Sequence, residues 1–274
     1  MSATTLTADH VAVVVPALNE ALRIRQVVAD ALAHCPRVIV VDDGSDDDTV
    51  ERIADLPVTV LRHPRRLGKG AALRSGFAEA GRQGAQAVLT MDGDGQHDAA
   101  DIPRLIAAAN RHPGAVIVGA RLRKRASQPF IRRIGNDFGD WGIAWGCGFR
   151  LVDSQSGQRL YPKAVFELQD VAGEGFVFEA QMLISAARRT GARVVAVPIE
   201  TRYMHLEAPG TFRKSHFRLV RDLWKITSHV VAQVWAYGHV IREYRRTRAH
   251  PPLIDDPSGE FDTVSTSPRN HAAP

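Results

Sequence analysis

Two carboxylates stand one residue apart in Met91-Asp92-Gly93-Asp94-Gly95-Gln96-His97, directly after an apolar run. With an amide oxygen at Gln96, Asp92 and Asp94 offer hard oxygen ligands of the kind that Mg²⁺ or Mn²⁺ takes while bridging to diphosphate oxygens. Gly93 lets a nucleotide approach the backbone closely. The spacing also describes a plain acidic turn, whereas an EF-hand is a poorer reading because its loop spacing and closing Glu are missing. A second acidic cluster runs from Asp42 to Thr49. There Asp43 reads as a hydrogen-bond acceptor for a base or ribose, and Asp48 or Thr49 as the cap of a following helix. Gly68-Lys69-Gly70 resembles a phosphate loop without meeting Walker A or GxGxxG spacing, so Lys69 faces either a nucleotide or solvent.

Residues of this kind need elements that hold them at one edge. Apolar runs at 11–15, 38–41, 58–61, 87–91 and 115–118 read as buried parallel strands. Stretches of helical length and spacing at 20–34, 49–55, 70–82 and 101–112 alternate with them. The alternation predicts an α/β sheet, and each polar cluster falls at the carboxyl end of a strand, where such sheets bind ligands. Beyond residue 120, Phe130, Ile134, Phe138, Trp141 and Trp145 fall on one helical face. Further helices are expected at 176–189 and 214–246, around a strand at 194–197. The expected organisation is a flexible N-terminus over 1–10, a catalytic domain over 11–212, a C-terminal helix over 213–248 and a disordered tail over 249–274.

The chain has 274 residues, 45% hydrophobic and 24% charged, which suits a globular protein with a real core and excludes small stapled and collagen-like classes. A net charge of +5 admits anionic partners. Nucleic acid is not expected, because the cations lack interleaved stacking aromatics. Cys35 and Cys147 are too few for a disulfide framework, and the first residues show no basic-then-apolar leader, so a cytoplasmic location is expected.

Taken in order, ValValValProAlaLeuAsnGlu, ValAspAspGlySerAspAspAspThr, GlyLysGlyAlaAla, MetAspGlyAspGlyGlnHis, AspSerGlnSerGlyGlnArg at 153–159, GlyPheValPheGlu at 175–179 and SerHisPhe at 215–217 resemble family 2 glycosyltransferases. Within that family the resemblance is to the dolichol-phosphate mannosyltransferase and glucosyltransferase branch. It implies a GT-A fold, a nucleotide-binding and mostly parallel sheet flanked by helices, with a C-terminal amphipathic helix. It implies an inverting transfer of a sugar from a UDP-, GDP- or TDP-sugar to a polyprenyl phosphate, with Mg²⁺ or Mn²⁺. Carried onto this sequence, Pro16, Asn19, Glu20 and Asp43 would line the nucleoside pocket, and Asp92, Asp94 and Gln96 would hold ribose, metal and diphosphate. Arg121, Arg132 or Arg133, and Arg213 or Lys214 would grip donor diphosphate or acceptor phosphate through paired N–H groups. Asp153 and Gln155 would lie beside the acceptor, and Glu179 opens a helix that it also suits as a cap.

A phosphate acceptor is already anionic and needs no strong base, whereas a hydroxyl acceptor needs a carboxylate such as Asp153 to take its proton. That hydroxyl-acceptor enzyme, a non-catalytic nucleotide or nucleic-acid binding module, and a sugar nucleotidyltransferase are the competing readings. The last lacks its Gly-rich opening after the first strand. No Gln-x-x-Arg-Trp motif occurs, which argues against a processive synthase, and Ser215-His216 stands where mannosyltransferase relatives carry Ser-Lys. The uncharged stretch 226–241 is only 16 residues long, short for a span. Trp224, Trp235 and Tyr237, with Arg242, Arg245, Arg246 and Arg248 after them, instead suit a peripheral position on the anionic inner face of a membrane.

Overall fold

The computed structural model describes residues 5–122, 130–173, 175–199 and 240–259, with positions 228, 231, 232 and 235; for 130–138, 176 and 240 it describes the backbone. Eight strands form one sheet: β1 (Val11–Ala17), β2 (Val38–Asp42), β3 (Thr59–Arg62), β4 (Ala87–Thr90), β5 (Val116–Ala120), β6 (Arg159–Pro162), β7 (Val194–Pro198) and β8 (Leu253–Ile254). Their order is β3-β2-β1-β4-β6-β5-β7-β8. Every neighbouring pair is parallel except those of β6, which runs antiparallel to both β4 and β5.

The apolar runs are unbroken because both faces of the sheet are covered. On one face Ala12, Val14, Ile39, Val41, Val88 and Val118 pack against Leu73, Phe77 and Phe178, carried by α2 (Lys69–Arg82) and α6 (Phe176–Ser185). On the other, Val11, Val13, Val15, Val40, Leu89 and Ile117 meet Ile24, Val28, Ile102 and Leu105 from α1 (Ile24–Leu32) and α3 (Ile102–Arg111). Each fully buried Val, Leu or Ile contributes about 1.5–3 kcal/mol relative to an exposed one. The remaining helices are α4 (Phe130–Cys147), α5 (Lys163–Phe166) and α7 (Val240–Ala249).

The structure differs from the sequence reading in several places. The helix expected at 49–55 is a single 3₁₀ turn, Glu51–Ile53, since Asp47 and Thr49 spend their polar groups on the neighbouring loop rather than on a helix. Of the N-terminus expected to be flexible over 1–10, the described part from residue 5 onward is bound chain. Leu6 exchanges two hydrogen bonds with the Asn110 side chain, at 2.8 and 2.9 Å, and Ala8–His10 form a 3₁₀ turn. The expected disordered tail over 249–274 is ordered over its first part, because β8 adds to β7 and Asp255 accepts from Arg111 at 2.9 and 3.0 Å; residues 260–274 lie outside the described residues. Of the expected helix over 214–246, the continuous described part is α7, which ends at Ala249. Of the aromatic stripe of α4, Trp141 is 43% exposed and Trp145 is partly buried against the core, beside buried Ile143, Ala144 and Cys147; Trp145 meets Trp141 at a tilt, 5.3 Å between ring centres, and Tyr244 of α7 edge-on at 6.3 Å.

Candidate active site

The loops that leave β1, β2 and β4 meet at one edge of the sheet. Asn19, held at φ 56°, receives Asp46 N–H on its side-chain oxygen at 3.0 Å, and its own N–H donates to Ser45 Oγ at 2.8 Å. Glu20 N–H donates to Thr49 Oγ1 at 2.8 Å. These bonds staple the two loops into one wall. Pro16 sits in β1 opposite Val41, and a Cβ built on Gly93 would lie 3.4 Å from the Pro16 carbonyl and 3.5 Å from Glu20 Cγ. Pro16, Asn19, Glu20 and Gly93 are therefore brought together.

Asp43 is 3% exposed. Its Oδ1 accepts from Leu67 N–H at 2.9 Å and meets His63 Nδ1 at 2.8 Å, while Oδ2 accepts from Gly68 N–H at 2.7 Å. The carboxylate thus fastens the 63–68 loop that leads into Lys69. Ser75 Oγ lies 2.9 Å from the other ring nitrogen of His63 and completes the chain.

Lys69, in the first turn of α2, lies 2.8 Å from Asp92 Oδ1 and 3.2 Å from Glu179 Oε2. Burial alone would lower its pKa, but the two carboxylates outweigh that and raise it, so the ammonium is firmly charged. Asp92 also faces His97 Nε2 at 3.6 Å. Burial opposes its ionised form, yet Lys69 and His97 hold the carboxyl well below the usual range. Glu179, in the first turn of α6, passes the network to Arg159 at 3.8 Å. Arg159 is 1% exposed and donates to the carbonyls of Ser154 (2.7 Å), Ser156 (2.7 Å) and Glu179 (3.0 Å) and to Tyr161 Oη (3.1 Å). Arg159 closes the 153–159 motif, which carried no role for it, and no motif reached Tyr161 or Asp140.

The opposite wall is the 153–157 loop that enters β6. Asp153, in the left-handed region at φ 49°, takes Arg121 in a fork: Nε at 2.8 Å, the terminal nitrogen at 2.6 Å and the backbone N–H at 2.7 Å. Burial would raise the Asp153 pKa, but the hydrogen bonds and charge of Arg121 bring it below the ordinary value. Asp140 of α4 accepts from Asp153 N–H at 3.0 Å, Ser154 N–H at 2.8 Å and Ser154 Oγ–H at 2.6 Å. Burial, reinforced by the Asp153 charge, pushes the Asp140 carboxyl up to about 6 despite those bonds. Gly157 lies so close to Asp92 that a Cβ would collide with its carboxylate, which puts the 153–157 loop directly against the acidic motif.

Asp94 is the second member of the acidic pair. Gln96 N–H donates to its Oδ1 at 3.0 Å, and burial together with the charge of Asp92 raises its pKa. A carboxylate whose ionisation is opposed by burial and by the charge of its neighbour is an electrostatic setting that a hard divalent cation relieves, so the donor set fits Mg²⁺ or Mn²⁺. Among the described residues no three His, Cys, Asp or Glu side chains converge as a closed cage, so diphosphate and water would complete the coordination. Gln96 is exposed at the rim. Arg132 and Arg133 fall on the part of α4 described by its backbone, and Arg213 and Lys214 lie outside the described residues.

The strand order, with one antiparallel strand set into a parallel sheet, is the GT-A arrangement expected from the sequence. Glucosyl-3-phosphoglycerate synthase from Mycobacterium tuberculosis, solved with Mn²⁺, UDP and glucosyl-3-phosphoglycerate, shares the fold at a TM-score of 0.57 and 21% identity, over 82% of this chain and 78% of that one. An undecaprenyl-phosphate mannosyltransferase of Micrococcus luteus is 31% identical over 173 residues, 59% of this chain and 70% of that protein. The UDP-N-acetylglucosamine–dolichyl-phosphate N-acetylglucosaminyltransferase of Methanococcus voltae is 27% identical over 217 residues, 69% and 84% of the two chains. The glycosyl transferase family 2 model matches residues 12–166, over half of the sequence and spanning the stapled loops, Lys69 and the acidic pair. On that match, with the fold and its polar edge agreeing, the chain belongs to glycosyltransferase family 2.

Proposed function

We propose that this glycosyltransferase moves a hexose from a nucleoside-diphosphate sugar to a polyprenyl phosphate, with inversion in one displacement. The observation that carries the choice of acceptor is the Asp153–Arg121 fork. A carboxylate bound on both oxygens by a guanidinium, with its pKa lowered, is a poor general base, and a phosphate acceptor requires none. The names of the Micrococcus and Methanococcus relatives support the same acceptor class.

In this reading the stapled 16–20 and 43–49 loops seat the nucleoside. Asp94 and Asp92 hold Mg²⁺ or Mn²⁺, which when bound neutralises charge on the diphosphate. Lys69 keeps a fixed positive charge at the same edge, where negative charge grows as the glycosidic bond breaks. Arg121, Arg132 or Arg133, and Arg213 or Lys214 grip the donor diphosphate or the acceptor phosphate. A peripheral seat on the inner membrane face accompanies this chemistry. Trp141, Trp145 and Tyr244 cluster at the α4–α7 surface beside exposed Arg242, Arg245 and Arg248, and no helix among the described residues is long and apolar enough to cross a bilayer.

The test is nucleoside-diphosphate release across UDP-, GDP- and TDP-sugars with Mg²⁺ or Mn²⁺ and a short polyprenyl phosphate, with the product identified by mass. A glycosylated lipid phosphate is expected. Transfer only to hydroxyl acceptors, with none to the lipid, overturns the acceptor assignment. Flotation with anionic liposomes that is lost in high salt is the matching result for the membrane seat, and no binding at low salt removes it.

A further inference from the structure

Asp140 is a half-buried acid outside every motif of the site, and its three hydrogen bonds go to two consecutive residues of the acceptor wall. Oδ2 accepts from Asp153 N–H, and Oδ1 accepts from both the N–H and the hydroxyl of Ser154. Ser154 is 2% exposed and is gripped from behind as well, since its carbonyl receives Arg159. One residue back, Asp153 is held at φ 49° and turns its carboxylate onto Arg121. Gly139 makes room for this contact, because a Cβ there would stand 2.5 Å from the Gln155 amide nitrogen. Helix and loop are therefore in direct contact through 139–140 and 153–155.

Burying a carboxylate has a cost that a neutral side chain avoids. What the carboxylate alone provides is two acceptor oxygens, and this contact uses both: an Asn would set an NH₂ group against one of the N–H donors. The same helix carries position 133 two turns earlier. We infer that Asp140 is a positioning residue of the acceptor half of the site, locking the Asp153–Arg121 fork to α4 so that the loop holds the Arg121 guanidinium in one place for the acceptor. This deepens the reading of the fork as the acceptor end, on which it rests.

The experiment compares wild type, Asp140→Asn and Ser154→Ala in the full chain, measuring KM and kcat for donor and acceptor separately, donor hydrolysis by water, and the melting temperature. Asp140→Asn is expected to raise acceptor KM, or lower transfer kcat, by about tenfold or more, with donor KM and hydrolysis within about twofold. Ser154→Ala, which removes one donor of the three, moves the same parameters in the same direction by less, and carries the test if the Asn variant does not fold. Unchanged acceptor kinetics in both variants overturn the inference. So does a parallel loss of donor binding, hydrolysis and transfer, the pattern of a purely structural residue. If wild type glycosylates a hydroxyl and not a lipid phosphate, the acceptor reading fails while the same ratios, taken with that hydroxyl acceptor, still decide the role of Asp140.

Discussion

Replacing Arg159 with Met removes a charge that the fold has buried completely. The side chain makes four hydrogen bonds and lies 3.8 Å from the Glu179 carboxylate, so the substitution leaves three carbonyls and the Tyr161 hydroxyl without that partner. Hydrogen bonds from a charged donor contribute about 1.5–3 kcal/mol each, offset by the cost of burying the guanidinium. Lys69 still faces Glu179, so that carboxylate keeps a cation. The net expectation is a loss of about 3–5 kcal/mol, read as a fall in the urea midpoint at unchanged slope. Glu179→Gln in the Arg159→Met background should cost less than in wild type, and the double-mutant cycle should return a coupling of about 1–3 kcal/mol. A single-variant loss below about 1 kcal/mol, or strict additivity in the cycle, refutes the view that this buried guanidinium organises the 153–157 loop.

Asp94→Asn is expected to lower turnover by about 100-fold or more while the melting temperature holds or rises, because burial and Asp92 already disfavour the Asp94 charge; full activity at saturating Mg²⁺ and Mn²⁺ contradicts the assignment. Asp140 binds its proton more tightly in the folded chain, at about 6 against 3.8, so its contribution to stability is full below about pH 4 and is lost as pH rises through 6. Denaturation between pH 4 and 7 should show wild type losing stability relative to Asp140→Asn by on the order of 2–3 kcal/mol. Asp255→Ala should cost about 1–2 kcal/mol with no change in kcat, since it frees β8 from Arg111 at the sheet edge away from the site; a change in activity without loss of stability argues against this.

The strands that carry the nucleotide edge were readable because their apolar runs are buried on both sides and each ends in a polar cluster. β6 was not. Its four residues open on Arg159, whose burial is explained only by partners from 154, 156, 161 and 179, and no local pattern encodes such a set. β8 is a two-residue edge strand inside a Pro- and Asp-rich stretch, and its pairing depends on β7 being present. Residue types placed Asp92, Asp94 and Lys69 near chemistry, but the partners that set their charges were legible only in three dimensions. Asp43 shows the limit of the approach. Its type and place at a strand end suit a base or ribose, and the structure engages it with backbone N–H groups of the 67–68 loop.

The reversed direction of β6 also governs when the site comes into being. Thr90 at the end of β4 pairs with Arg159 at the start of β6, and its hydroxyl donates to the Gly157 carbonyl at 2.8 Å, across 67 residues of chain. The β1–β4 half can assemble from neighbouring βα units in chain order, as residues 11–91 emerge. The 153–157 wall must wait for β6 to be threaded between β4 and β5, a closure of long loops that is intrinsically slow. A nascent or partly folded chain therefore holds the acidic pair without the loop that packs on Asp92.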